Sequence, residues 1–254
     1  MKDQNMARII AAAVLIRFIM EKNYPLFVKE LRFKRSEVAD LSVYPYNIPL
    51  IKTLETVKFE KPVTFFAGEN ASGKSTILEA IALNMGLNAE GGSENACFET
   101  INTSSELYMH ITLVKSGFMP RRKYFLRAES FYTLANAYKD YLEDMHAFSH
   151  GEEFLRICSG FSERGFYLLD EPESALSPQS QMRFLCLMDK LAKDGAQFII
   201  VTHSPILLSY YDGQILNSND RLLPIAFKDT EIYNVYQKFL SDPDGMQNRL
   251  FKTV

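Results

Sequence analysis

Three short stretches of the chain are apolar almost without interruption: 63–67 (VTFFA), 166–169 (FYLL) and 197–202 (QFIIVT). Runs of this length, bounded by turn-forming or charged residues, suit strands buried on both faces of a parallel sheet. Other segments alternate. Residues 24–33 (YPLFVKELRF) and 53–60 predict strands with one wet face, separated by a loop that holds Pro45 and Pro49. Residues 98–103, 107–114 and 123–128 predict antiparallel strands, the last two joined by a turn over 117–120. Helical spacing appears from Lys74 onward and over 130–144, 152–163 and 178–192. The tail predicts short strands near 214–216 and 222–227, then two polar helices.

The first apolar run leads into Gly68-Glu69-Asn70-Ala71-Ser72-Gly73-Lys74-Ser75-Thr76. This is the P-loop pattern, standing between a predicted strand and a predicted helix. Its backbone N–H groups and the helix N-terminus converge on one concavity that favours phosphate. Lys74 reaches the terminal phosphates, and the Ser75 hydroxyl is placed to ligate Mg²⁺. The second run ends in Asp170-Glu171, two carboxylates at a strand end. Asp170 would hold Mg²⁺ and Glu171 would polarise an attacking water. ATP and Mg²⁺ are the implied cofactors. The aromatic loop around Tyr44 and Tyr46 reads first as self-packing, with a place over an adenine ring as the alternative.

Composition sets bounds. With 47% hydrophobic and 23% charged residues the chain is ordinarily globular, long enough for one large α/β domain. A net charge of −3 gives no global field for nucleic acid. Arg121, Arg122 and Lys123 read as a solvated edge. Cys97, Cys158 and Cys186 are odd in number and widely spaced, which predicts reduced thiols and a cytoplasmic setting. Residues 9–20 (IIAAAVLIRFIM) are apolar apart from Arg17 and too short to span a bilayer. They predict a packed or interfacial helix, or a leader, rather than a secretion signal; no integral membrane segment is expected.

The ordered motifs carry a resemblance. The segment 169–177 (LDEPESALS) resembles the Walker B and D-loop of ABC-type ATPases, and 199–205 (IIVTHSP) resembles their switch-histidine segment. Phe148-Ser149-His150-Gly151-Glu152 stands in the place of the LSGGQ signature, matching at Ser149 and Gly151 and departing at His150 and Glu152. The likeness runs from about residue 27 to the end. It is similar to the "predicted ATPase", AAA-21-like branch allied to SMC and RecF-type proteins, which lacks a transmembrane domain. Only about seventy residues separate Ser75 from Ser149 and no sustained heptad appears, so a long coiled coil is excluded.

The resemblance implies an α/β fold with an ABC-like mixed sheet, an antiparallel β subdomain and an inserted helical segment near 130–165. Residues 1–22 would lie apart from one ATPase domain spanning 23–254. It also implies a head-to-tail homodimer driven by ATP, with nucleotide held between one protomer's P-loop and the other's Ser149 and Gly151. His203 would sense the γ-phosphate. No glutamine occurs between Gln4 and Gln179, so the family's Q-loop residue is missing; Glu90 or Asn95 are the candidates to replace it. The implied activity is hydrolysis of ATP coupled to an unknown protein or nucleic-acid partner. The alternatives are a nucleotide-gated DNA-maintenance, defence or toxin–antitoxin module, and the ATPase subunit of a membrane transporter.

Overall fold

The computed structural model describes residues 24–93, 105–127 and 150–252. Two sheets organise them. The larger has seven strands. In chain order they are β3 (Val63–Ala67), β4 (Gly92–Ser93), β6 (Lys123–Arg127), β7 (Phe166–Asp170), β8 (Gln197–Val201), β9 (Gly213–Asn217) and β10 (Leu223–Pro224). Across the sheet the order is β10-β9-β3-β8-β7-β6-β4. Its five central strands are parallel, and β10 and β4 close the two edges antiparallel. The smaller sheet is antiparallel, β2-β1-β5, from β1 (Val28–Phe33), β2 (Thr56–Lys58) and β5 (Ile111–Lys115). The fold is the expected α/β arrangement with a mostly parallel sheet and an antiparallel addition.

The unbroken apolar runs have a direct cause. Along β7, Phe166 and Leu168 enter one core while Tyr167 and Leu169 enter the other; along β8, Ile199 and Val201 oppose Phe198 and Ile200. Both faces are covered, so a polar residue is admitted only where it finds a hydrogen-bond partner. The first core holds α2 (Lys74–Asn84) together with Leu31, Val57 and Leu113 of the small sheet. Ile77, Leu78, Ala80, Ile81 and Ala82 are all buried there, as a helix apolar around its circumference requires. The second core lies under α3 (His150–Ser159), α4 (Pro178–Lys193) and α5 (Pro205–Leu208). Two buried amides fasten the sheets together. Gln197 donates through Nε2 to the Val28 carbonyl (2.8 Å) and accepts from the Val28 N–H (3.0 Å). Gln214 accepts from the Glu60 N–H (2.9 Å) and donates to the Lys58 carbonyl (3.1 Å).

Several local expectations are corrected. β5 and β6 do not form a hairpin: β5 pairs with β1 in the small sheet, and β6 pairs in parallel with β7 in the large one. β6 goes there because Phe125 and Leu126 each need a separate core, one on either side of the large sheet. The strand expected over 107–114 starts with a 3₁₀ turn, Glu106–His110, opened by the Ser105 hydroxyl accepting from the Leu107 N–H. The loop after Tyr44 contains the one-turn helix α1 (Pro49–Thr53), with proline at its first position, where a missing N–H costs nothing. The helix expected over 152–163 is described as His150–Ser159 and ends before Gly160. The expected strand over 222–227 contracts to Leu223–Pro224. Helices α6 (Glu231–Ser241) and α7 (Pro243–Lys252) are amphipathic rather than polar, exposing Tyr236, Leu240 and Phe251. The expectations for 9–20, 98–103 and 130–144 lie outside the described residues. Among those described, no helix is long and apolar enough to cross a membrane.

Candidate functional site

The site forms where β3, β7 and β8 end together, at the carboxyl edge of the parallel strands. The loop between β3 and α2 is shaped by two glycines. Gly68 has φ +139°, and a Cβ there would stand 2.1 Å from Ser218 Oγ, on the turn after β9. Gly73 has φ +106°, and its Cβ would meet Ile48, just before α1, at 2.8 Å. Neither the backbone angle nor the space admits a side chain. The loop is fastened to the β9 turn by three contacts. The Ser218 N–H donates to the Ala67 carbonyl (2.7 Å), the Glu69 N–H to Asn219 Oδ1 (3.1 Å), and Ser72 Oγ bonds Ser218 Oγ (3.0 Å). Glu69, Asn70 and Ala71 form an exposed crest, and Thr76 is half-buried behind it.

Lys74 opens α2 and is buried. Its Nζ turns back over the loop, donating to the Gly68 carbonyl (3.1 Å), the Glu69 carbonyl (2.5 Å) and Ser72 Oγ (3.3 Å). Burial lowers its pKa, opposed by the nearby carboxylates, of which Glu171 acts most strongly. One residue on, Ser75 Oγ donates to Asp170 Oδ1 at 2.9 Å. A serine hydroxyl and a carboxylate side by side are an oxygen donor pair of the kind Mg²⁺ takes when nucleotide phosphates complete its shell. The residues therefore fit the ion. No cluster of three or more His, Cys, Asp or Glu able to hold a metal occurs among the described residues.

Glu171 follows Asp170 in a left-handed conformation (φ +50°, ψ +53°), while its N–H still donates to the Val201 carbonyl (2.9 Å). Non-glycine residues held there concentrate at functional sites. The turn carries its carboxylate to 3.8 Å from His203 Nε2. His203 Nε2 itself is shielded from solvent and has no hydrogen-bond partner among the described residues. Its pKa is lowered from 6.5, by burial first and by the Lys74 ammonium second, with Glu171 acting in the opposite sense. The shift favours the neutral imidazole, whose Nε2 lies on the side of the acid. On this side the P-loop borders a cleft of about 500 Å³ lined by Gly68, Glu69, His203, Asn217, Asn219 and Tyr236.

Glu173, Arg127 and Glu79, not singled out from sequence, belong to this cluster. Glu173 accepts from Thr202 Oγ1 (2.8 Å) and from the His203 N–H (2.5 Å), tying the turn after β7 to the segment bearing the histidine. Burial raises its pKa, and those hydrogen bonds work against the rise. Arg127, at the end of β6, donates from Nη1 to Glu79 Oε2 (3.0 Å) and the Ala89 carbonyl (3.1 Å). Its Nε lies 3.8 Å from Asp170 Oδ2. The sequence signal was slight, since β6 is a run of three uncharged residues between Lys123 and Arg127. Arg121 and Arg122 are exposed, as a solvated edge should be, whereas Lys123 is half-buried and its Nζ donates to the Met85 carbonyl (2.8 Å).

The remaining candidates lie apart from these contacts or beyond description. Gly151 stands at the start of α3, where a Cβ would come within 3.3 Å of the Ala175 carbonyl and 3.5 Å of Ser180 Oγ. It packs on the turn after Asp170-Glu171. Ser149 and Asn95 lie outside the described residues, and the Glu90 N–H bonds Asn88 Oδ1 (3.0 Å). Tyr46 is buried, stacked on Phe33 and bonded through its hydroxyl to His110 Nδ1 (2.7 Å), so it packs; Tyr44 is exposed.

Two family models match the chain in separate stretches. One, described as "AAA domain", matches residues 47–137 and so takes in the P-loop. The other, described as "AAA domain, putative AbiEii toxin, Type IV TA system", matches residues 153–209 and takes in Asp170, Glu171 and His203. No curated protein matches significantly. Among solved structures, the SMC head domain from Thermotoga maritima is 19% identical, over 75% of this chain and 95% of that one, with a TM-score of 0.40. "An inward-facing conformation of a putative metal-chelate type ABC transporter" is 18% identical, over 82% and 85%, with a TM-score of 0.41. UvrA2 from Deinococcus radiodurans is 20% identical over 33% of this chain and 14% of its own, with a TM-score of 0.21. The fold assignment rests instead on the strand order, the loop geometry and the two matched stretches. Strand order, loop geometry and the two matched stretches together give the fold of a P-loop nucleotide-binding domain, similar in those stretches to AAA domains.

Proposed function

We propose that this chain binds Mg²⁺-ATP, hydrolyses it to ADP and phosphate, and uses the cycle to close and open a head-to-tail homodimer of ABC-like form. The observation that carries the reading is the contact between Ser75 and Asp170, which joins the phosphate-binding loop to the acidic strand end. In this reading the loop N–H groups from Gly68 to Thr76 and the Lys74 ammonium bind the phosphates. Ser75 and Asp170 would hold Mg²⁺, which would supply charge neutralisation to the nucleotide phosphates. Glu171 takes the proton of the attacking water, and neutral His203 orients that water and the γ-phosphate. Ser149 and Gly151 of a second copy complete the site. The N–H groups opening the helix that holds Glu152 would add a favourable field for the γ-phosphate.

The test is equilibrium binding of a fluorescent ATP analogue with Mg²⁺. Lys74→Ala is expected to lose binding while keeping its fold, and equal affinity in the variant and the parent would contradict the reading. A second reading takes its support from the toxin–antitoxin description attached to the family matched over residues 153–209. There the closed dimer is a nucleotide-gated module that engages a defence or antitoxin partner, and hydrolysis resets it. Release of a co-expressed partner on ATP hydrolysis, rather than turnover alone, would favour that version.

A further inference from the structure

The parallel register of β6 and β7 sets Arg127 directly opposite Asp170 at the functional edge of the sheet. Both oxygens of the Asp170 carboxylate are engaged there: Oδ1 accepts from Ser75 Oγ at 2.9 Å, and Oδ2 lies 3.8 Å from Arg127 Nε. On its other side Arg127 is held at 3.0 Å by Glu79 and at 3.1 Å by the Ala89 carbonyl. Glu79 is one helical turn beyond Ser75 on α2, so both project from the same face. Glu79 is fixed in turn by accepting the Ser105 N–H at 2.9 Å. The contacts close a ring, Ser75 to Asp170 to Arg127 to Glu79 and back through the helix. The three charged side chains are only 19%, 9% and 12% exposed for Arg127, Asp170 and Glu79. At such burial neighbouring charges act on one another strongly.

We propose that Arg127 is a positioning residue of the metal subsite: a resident cation that holds Asp170 toward Ser75 and sets how tightly a divalent ion binds there. The inference rests on the nucleotide reading given above. A guanidinium stays charged at every accessible pH, so its field on Asp170 is permanent. It is anchored by Glu79 and the Ala89 carbonyl and cannot retreat far when a second cation arrives. Part of the Asp170 charge is therefore already neutralised, and the ion binds less tightly than two bare oxygen donors would allow. Glu79 moderates this by drawing the guanidinium toward itself. The two partners consequently have opposite influences on metal affinity. A merely structural ring would give losses of the same sign from both.

The experiment uses the full chain with ATP bound and Mn²⁺ as the probe, free ion being read by its paramagnetic resonance. ATP affinity without divalent ion, circular dichroism and melting are measured alongside. Arg127→Gln is expected to bring half-saturation to about tenfold lower Mn²⁺. Glu79→Gln is expected to move it about threefold or more upward, and Arg127→Lys, which keeps the charge, should stay near the parent. An unchanged or raised half-saturation in folded Arg127→Gln overturns the proposal, as does a shift of the same sign in Glu79→Gln. Should Arg127→Gln fail to fold, the Glu79→Gln and Arg127→Lys results decide alone. A parent protein that binds no ATP at all would sink the nucleotide reading instead, so the two failures are distinct.

Discussion

Ser75 Oγ and Asp170 Oδ1 lie 2.9 Å apart although 95 residues separate them in the chain. The first sits at the start of the helix after the P-loop, the second at the end of β7. β8 lies between β3 and β7 in the sheet, so the contact spans its functional edge. Asp170→Asn should therefore weaken the divalent ion and leave metal-free nucleotide binding in place. The expected loss in metal affinity is about tenfold to a hundredfold, read by Mg²⁺ titration at fixed nucleotide. Equal Mg²⁺ dependence in variant and parent would remove Asp170 from the site.

His203 offers a test through its protonation. Burial and the Lys74 ammonium lower its pKa from 6.5, while Glu171 raises it. Replacing Lys74 by Met should move it upward, and Glu171→Gln should move it further down; both are read by NMR titration of the imidazole. The sign for stability follows. The unfolded chain takes up this proton near 6.5 and the folded chain only at lower pH, so this residue's contribution falls as pH drops through 6.5. His203→Ala should abolish that part of the pH dependence and slow turnover about a hundredfold.

Gly68 tests the loop independently of catalysis. With φ +139° and Ser218 Oγ 2.1 Å from the site of a Cβ, Gly68→Ala must displace the turn after β9 or distort the P-loop. A loss of about 2 kcal/mol in unfolding free energy is expected by denaturant titration, together with weakened nucleotide binding. Parental stability in Gly68→Ala would mean that the loop and the β9 turn do not pack as described.

The parts legible in the sequence are those where chemistry or burial is written in consecutive residues. The P-loop needs its glycines, Lys74 and Ser75 within one short stretch, and β7 and β8 need unbroken apolar runs at 166–169 and 198–201 because both faces are covered. Position in the sheet is written less locally. β5 and β6 look like a hairpin across 117–120, yet each finds its partner far along the chain, β1 for one and β7 for the other. The same holds for Arg127, whose role depends on a parallel register with Asp170 that no neighbouring residue announces. Helix α1 was hidden because the proline that marks its first turn also marks a loop. For Glu173, an acid in a turn gave no sign of holding the Thr202 hydroxyl and the His203 N–H.

The central claim is that nucleotide binding closes two copies of this chain around Glu171 and its water. It is tested most directly by the mass in solution of the Glu171→Gln protein with and without Mg²⁺-ATP. Glutamine keeps the shape and removes the base, so the account predicts a monomer alone, a dimer with Mg²⁺-ATP, and no turnover to release it. A variant that binds ATP and remains a monomer, or one that hydrolyses ATP at the parental rate, would contradict it.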